Sequence, residues 1–436
     1  MHSDKSPLWS ACGRPFVVRA LARCGPVARE RGGDGLKPAL QTGLKPALQT
    51  AVCLLLTALA ASKLRAGEAP PIADVGLGPV ESRGVEGDPS RRGQVYRSQL
   101  ATFTQDALHY GIRYNVCVDT TQGDRLLPSE GYLGMPLPSS SNWYHSGFLF
   151  LVLNGQDIGS RTPLASMRVT ERGSRAIVDL VWHDPAAEVR ARFLALPRRD
   201  WLACEIAIEP NEPLDSIVLR LTCFPSYFTA WNKRDGARRI RTPGPLIEQG
   251  KPATLPAKDA WWAVYYDEIF DVAKGEGEGP CAMLLLPDEA AEVSFEPGSY
   301  AVGTRIRHPA SARRLRLAFW DFHGTTNAEA LARLEHGAED VRRELAALDF
   351  TPAAIQGVDL AKLRAEVEKA IESESIRAAL GGRLAAIHSW LDRYDPAKEP
   401  ATPASAIRSE ERLLEAVGEY QDFVWEVKLA ELLSTF

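Results

Sequence analysis

The residues best equipped for chemistry gather in 119–147, DTTQGDRLLPSEGYLGMPLPSSSNWYHSG, a long polar stretch rich in Gly, Pro and Ser that also carries several aromatics. Long irregular segments inside compact domains are often functional loops. Carboxylates and imidazoles can exchange protons with a bound hydroxyl compound, which assigns acid–base roles to Glu130 and His145. Sugar rings have apolar C–H faces that stack on aromatic planes. Trp143 and Tyr144 therefore form a candidate platform, with Asp119 and Asp124 as polar contacts; the competing expectation is that these aromatics plug the end of the sandwich and the acids are solvated. The second candidate is Trp261–Glu268, WWAVYYDE. Alternate residues of a strand point to opposite faces, so one of Trp261 and Trp262, together with Tyr266, is available to a ligand while the rest enter the core.

Asp267, Glu268, Asp271, Glu276 and Glu278 place five carboxylates within twelve residues. Oxygen-rich loops suit calcium, which makes Asp267, Glu268 and Asp271 candidate ligands. Their spacing differs from the EF-hand pattern, and the competing expectation is a solvated acidic loop without any cofactor. Carboxylates from two loops could instead flank a glycosidic bond. His183–Asp184 and Asp321–Phe322–His323 each place His near Asp at a strand end. Adjacent strand residues point oppositely, so His183–Asp184 reads as surface. No GxSxG elbow, HExxH helix, Walker loop or strand–GxGxxG–helix occurs, which leaves serine hydrolase, zincin, P-loop and Rossmann chemistry without support.

The elements that must position these residues are mostly strands. From about Gly147 to Phe322 the dominant period is two, as in Ser166–Glu171, Glu188–Leu196 and Arg314–Trp320. Phe148–Leu153 and Ala282–Leu286 are apolar on both faces, as central strands are. Turn residues recur at Asn154–Gly155, Arg172–Gly173–Ser174 and Asp184–Pro185 without helical patterns between them, which predicts a large antiparallel β-sandwich. Trp201–Glu209 and Ser216–Phe224, joined by the turn-rich 210–215, are expected to pair as a hairpin with Ile208 opposite Ile217.

The succession AEVRARFLALPRRDWLACEIAIEP, a turn, then LDSIVLRLTCFPSYF resembles the strand runs of galactose-mutarotase-like sandwiches, the large antiparallel domains of carbohydrate-processing enzymes. The resemblance spans about 200 residues and is one of pattern. It implies a supersandwich fold and sugar chemistry; the histidine acid and glutamate base of that family's epimerases align with no residue here.

After Phe322 the period becomes helical. Thr326–Asn327–Ala328–Glu329 is a capping box opening a helix to about Leu348. A second helix is expected from Asp359 through Leu391, weakened at Gly381–Gly382, and a third from about Ser405 to Leu433, after the proline-rich 395–404. This C-terminal α-helical extension packs on the sandwich or serves as an arm for oligomers or partners.

Residues 1–66 read differently. GLKPALQT occurs twice in tandem at 35–50, and Ala51–Ala61 is a short apolar run between basic residues and the small-residue stretch LRAGEA. Together these form a low-complexity leader and a secretory signal peptide, so the chain is expected to be exported, to the periplasm or beyond. The expected layout is a leader over 1–66, a sandwich over 67–324 and a helical region over 325–436.

Forty-five per cent hydrophobic residues suffice for a sizeable core, and 51 basic against 56 acidic residues give a formal charge of −5. Without 1–66 the charge is −12, from 41 basic and 53 acidic residues. Such a surface disfavours polyanions, and nucleic acid is excluded as a partner. No apolar run reaches the ~18 residues of a membrane span. Of the four cysteines outside the leader, Cys117, Cys204, Cys223 and Cys281, none has metal-site spacing; buried free thiols are expected. The combined expectation is an exported sandwich that binds or processes a saccharide between 119–147 and 261–268. The alternative is a non-catalytic envelope or assembly protein using its helical tail. N-terminal sequencing of protein recovered from an exporting host is predicted to begin near Gly67; a retained leader would refute the signal.

Overall fold

The computed structural model describes residues 72–85, 89–106, 108–127, 131–229, 234–371, 374–393 and 405–434. The expected leader and the 395–404 linker lie outside them. Strand alternation organises the described residues into two antiparallel sheets, one of twelve strands and one of nine. Their inward residues, such as Phe103, Leu151, Leu219 and Ile306 from the larger sheet and Val178, Phe193, Ile206 and Leu317 from the smaller, form one continuous core. This is the mainly β sandwich followed by C-terminal helices that period two and then period 3.6 predict.

Strand extents follow the alternation closely: Ser166–Glu171, Ala187–Ala195, Arg314–Asp321, Leu149–Leu153 and Cys281–Leu285. The expected hairpin does not form. Leu202–Pro210 lies in the nine-stranded sheet between Ala187–Ala195 and Arg314–Asp321, while Ile217–Cys223 lies in the other sheet between Leu149–Leu153 and Val302–His308. Both strands point the expected residues inward, but they face the core from opposite sheets. A period-two pattern is satisfied equally by lateral pairing and by facing across a gap of ~10 Å. The link between them is long enough to change sheets. Cys117, Cys204, Cys223 and Cys281 are buried and free, as expected.

The nine-stranded sheet is covered on its outward face as well. Helix Asn327–Ala347 begins at the capping box: Thr326 Oγ1 accepts from Glu329 N at 3.3 Å, and Glu329 Oε2 accepts from Thr326 N at 3.0 Å. Its Ala330, Leu334, Ala338 and Leu345 bury Ile177, Leu194, Ala203, Val264, Leu284 and Trp320, forming a second apolar layer. The rest of the tail comprises helices Leu360–Ile371, Glu374–Arg393 and Ala406–Ser434. The long second helix expected from the sequence is two helices, and Gly381–Gly382 lies inside the latter. These helices share a small core of Val367, Ile387 and Phe423.

Leu334 is 1% exposed beneath this layer. Leu334→Ala is therefore expected to cost about 2–5 kcal/mol by cavity formation, read as a lower urea midpoint with an unchanged slope. A cost within error of zero would mean that the helix does not cover the sheet in solution.

Candidate functional site

The structure separates the residues that the sequence proposes as a site. Glu130 lies outside the described residues. Asp119 ends the strand Leu108–Asp119 and caps the following turn, accepting from Thr121 Oγ1 at 2.6 Å and Thr121 N at 2.9 Å. The Thr121 hydroxyl, its N–H and nearby Arg125 hold the Asp119 carboxyl below its ordinary range. Trp143 is fully buried. It donates its indole N–H to Trp320 O at 2.9 Å and lies among Phe148, Tyr265 and Phe319, which leaves no face for a sugar ring. Asp321 anchors this loop: its carboxylate accepts from Ser139 N, Ser139 Oγ and Asn142 Nδ2 at 3.0, 2.8 and 2.6 Å. A loop tethered in this way tucks its tryptophan inward.

Tyr144 and His145 are half-buried in an aromatic cluster with Phe224 and Phe228, and His145 Nδ1 is bonded to Ser140 O at 2.9 Å. Trp262 and Tyr266 belong to the layer beneath Asn327–Ala347, and Arg342 lies 5.9 Å above Trp261. The helix thus covers the face on which the second stacking platform was expected. Asp267 is buried, and its Oδ1 accepts from the N–H groups of Ala237, Ile269 and Phe270. Glu268 pairs with Arg239 at 3.0 Å. Asp271 caps Val272–Lys274 and accepts from Asn327 N at 3.1 Å. The three carboxylates therefore serve three local tasks. Among the described residues no group of three or more His, Cys, Asp or Glu could hold a metal ion. Of the proposed residues described, Tyr144 and His145 touch each other and so do Trp261 and Trp262, each pair being adjacent in sequence.

Charge gathers instead on the outward face of the smaller sheet, in the area that Asn327–Ala347 leaves uncovered. Period two puts Ser166 and Arg168, Asp179 and His183, Glu188, Arg190 and Arg192, and Glu205 on that face of four neighbouring strands. Helix Ala406–Ser434 lays Glu410, Glu411 and Glu415 across them. Arg192 is the deepest. Its guanidinium grips Asp179 with two bonds of 2.6 Å, reaches Glu410 at 2.7 Å and donates to Phe350 O at 2.8 Å. Burial opposes the charge on Arg192, but Asp179 and Glu410 outweigh it and raise its pKa. Burial likewise opposes ionisation of Glu410, and Arg192 and Arg190 outweigh it, holding Glu410 low.

Beside this network a cleft of about 310 Å³ opens between the sheet and the helix, lined in part by Ser166, Arg168, His183, Arg408 and Glu411. His183 and Glu188 are cross-strand partners, because the chain reverses tightly between Asp184 and Ala187. His183 Nδ1 lies 2.5 Å from Glu188 Oε2, and its Nε2 faces Glu411 Oε2 at 3.6 Å. Arg408 donates to the other Glu188 oxygen at 2.5 Å. Burial would raise the Glu188 carboxyl, yet Arg408 and His183 hold it below its usual range. An imidazole oriented by a carboxylate on one nitrogen, with the other facing a cleft, is an arrangement suited to acid–base chemistry. Asp184, the sequence neighbour, turns away to Arg161 and Thr162. The signal for this pair was a His and a Glu five residues apart across a tight turn; of the two residues expected at the surface, His183 is exposed and Asp184 is buried.

No family model matches the chain, and no curated protein matches it. Among solved structures it is similar to an α-N-acetylgalactosaminidase of Bifidobacterium bifidum, at 10% identity and a TM-score of 0.35, covering 57% of this chain and 38% of that one. It is also similar to a GH36 α-galactosidase of Geobacillus stearothermophilus, at 9% identity and a TM-score of 0.30, over 50% and 40% of the two chains. A 4-α-glucanotransferase of Thermococcus litoralis matches at 10% identity and a TM-score of 0.26, over 55% and 39%. The chain spans about two fifths of the length of these proteins. At such scores the likeness carries no inference about site or substrate.

A carboxylate held low by cations stabilises the fold above its unfolded pKa, and that stability is lost as pH falls through the folded value. Glu410 and Glu188 both have this sign. Acidification below the normal carboxylate range is therefore expected to release helix Ala406–Ser434 first, seen as loss of its amide-exchange protection. Glu410→Gln should reproduce the release at neutral pH, at a cost of about 3 kcal/mol, typical of breaking one side of a buried ion pair. Unchanged protection in that variant would refute the network's role.

Proposed function

We propose that this is an exported, carbohydrate-directed protein that binds or processes a saccharide in the cleft between the sheet and its last helix. The observation that carries this reading is the His183–Glu188 pair, with Nε2 of His183 turned toward the cleft beside Ser166 and Arg168. Saccharide hydroxyls both donate and accept, and the cleft offers carboxylate acceptors, guanidinium donors and one group able to move a proton. A volume of about 310 Å³ lies at the small end of ligand sites, ~300–1,000 Å³, and suits one or two sugar rings. The site thereby moves away from 119–147 and 261–268, whose tryptophans are covered.

A glycan array followed by a hydrolysis screen tests the reading. Wild-type protein is expected to bind a saccharide, and His183→Ala to lose at least about tenfold in affinity or turnover, equal to ~1.4 kcal/mol. Failure of the wild type to bind any glycan would end it.

One observation favours the alternative, a non-catalytic assembly protein. Trp425 and Leu429, one turn apart on the last helix, are 74% and 55% exposed. A second copy of the chain could cover them. Light scattering decides: a dimer that Trp425→Ser converts to monomer supports assembly, and a wild-type monomer removes it.

A further inference from the structure

We infer that the cleft is a site for a carboxylate-bearing saccharide, and that Glu411 of the last helix occupies the place of the ligand's carboxylate. The inference rests on the saccharide reading above and narrows it to acidic sugars. Three groups on two adjacent strands converge on the Glu411 carboxylate. Ser166 Oγ donates to Oε1 at 2.7 Å, Arg168 Nη2 donates to Oε1 at 3.3 Å, and His183 Nε2 stands 3.6 Å from Oε2. Strand geometry places these receiving groups. Ser166 lies opposite Val181 and Arg168 opposite Asp179, so both share the face that His183 occupies two residues beyond Val181. A hydroxyl, a guanidinium and an imidazole on one rigid sheet face form a carboxylate receptor.

The resident carboxylate is bonded closely by the receptor's hydroxyl and only loosely by its two cationic groups. Charge-assisted N–H···O bonds are normally about 2.7–2.9 Å, whereas Arg168 Nη2 is shared between Glu411 at 3.3 Å and Glu415 at 3.2 Å. One residue earlier on the same helix, Glu410 makes its 2.7 Å bond to Arg192. The helix is therefore anchored by short charge-assisted bonds at Glu410, while Glu411 is held by the Ser166 hydroxyl and by two long bonds from Arg168, one of them to its backbone carbonyl. A ligand carboxylate can replace Glu411 while the Arg192 anchor stays in place. Arg408 also lines the cleft but is already bonded to Glu188, so the cation that a ligand carboxylate meets is Arg168. A ligand carboxylate restores to Arg168 the second anion that it loses with Glu411, whereas a neutral sugar leaves it with Glu415 alone, which favours acidic over neutral sugars.

Titration calorimetry of the full chain with digalacturonate, the neutral galactobiose of the same linkage, and citrate tests the assignment. Digalacturonate is expected to bind at least about tenfold more tightly than galactobiose. Glu411→Gln and Glu411→Ala should each tighten digalacturonate binding about tenfold by removing the resident competitor, and Arg168→Ala should abolish it. Glu411→Ala guards against a glutamine that keeps the Ser166 bond, and an unchanged thermal midpoint in both variants establishes that they fold. Equal binding of the two disaccharides overturns the acidic-ligand assignment and leaves the saccharide reading standing. Unchanged or weaker digalacturonate binding in folded Glu411 variants also overturns it. Binding of citrate with neither sugar, or of none of the three, overturns the assignment, and the saccharide reading is then decided by the glycan array.

Discussion

A guanidinium with 1% of its side chain exposed must be matched by carboxylates and carbonyls or its burial becomes prohibitive. Arg192 meets that demand with Asp179 from the neighbouring strand, Phe350 O from the segment after helix Asn327–Ala347, and Glu410 from the last helix. Two distant stretches of chain are thus tied to one hairpin of the sheet. The position of the last helix, and with it the cleft, follows from this pairing.

The nine-stranded sheet solves the problem of its second face in two ways. Where its outward residues are apolar, Asn327–Ala347 covers them with Ala and Leu. Where they are charged, Ala406–Ser434 covers them with glutamates. Apolar burial is non-directional and tolerates sliding, whereas the charge-assisted bonds of Arg192 and Arg190 to the two oxygens of Glu410 are directional and fix position. The charged half therefore places its helix more exactingly, and only that half leaves polar groups facing the open cleft described here. The same network that docks the tail supplies Glu188 and Arg408 to orient His183.

Much of the sandwich was legible because side-chain alternation records which face of each strand is dry. Leu219, Leu221, Ile206 and Ile208 all enter the core as their spacing requires. The capping box at Thr326 was legible because its bonds are local. Pairing partners were harder. Leu202–Pro210 and Ile217–Cys223 carry compatible patterns and still belong to different sheets, since alternation specifies a face and leaves the neighbour open. The candidate site was harder again. Trp143 looked like a loop aromatic, but the hydrogen bonds of Ser139 and Asn142 to Asp321 draw its loop into the core. Those residues are about 180 positions apart in the chain, beyond the reach of any local pattern.

Period and composition alone determined the class of fold, the switch from strand to helix near Phe322, the buried thiols and the inward face of most strands. These depend on the hydrophobic effect acting through fixed backbone periods, which any short window of sequence reveals. Tertiary structure alone decided which sheet each strand joined, which aromatics were covered, and that Ser166, Arg168, His183, Glu188 and Glu411 would meet. Electrostatic and hydrogen-bonded constellations act over a few ångströms between residues remote in sequence, so only the packing of the last helix onto the sheet could bring them together.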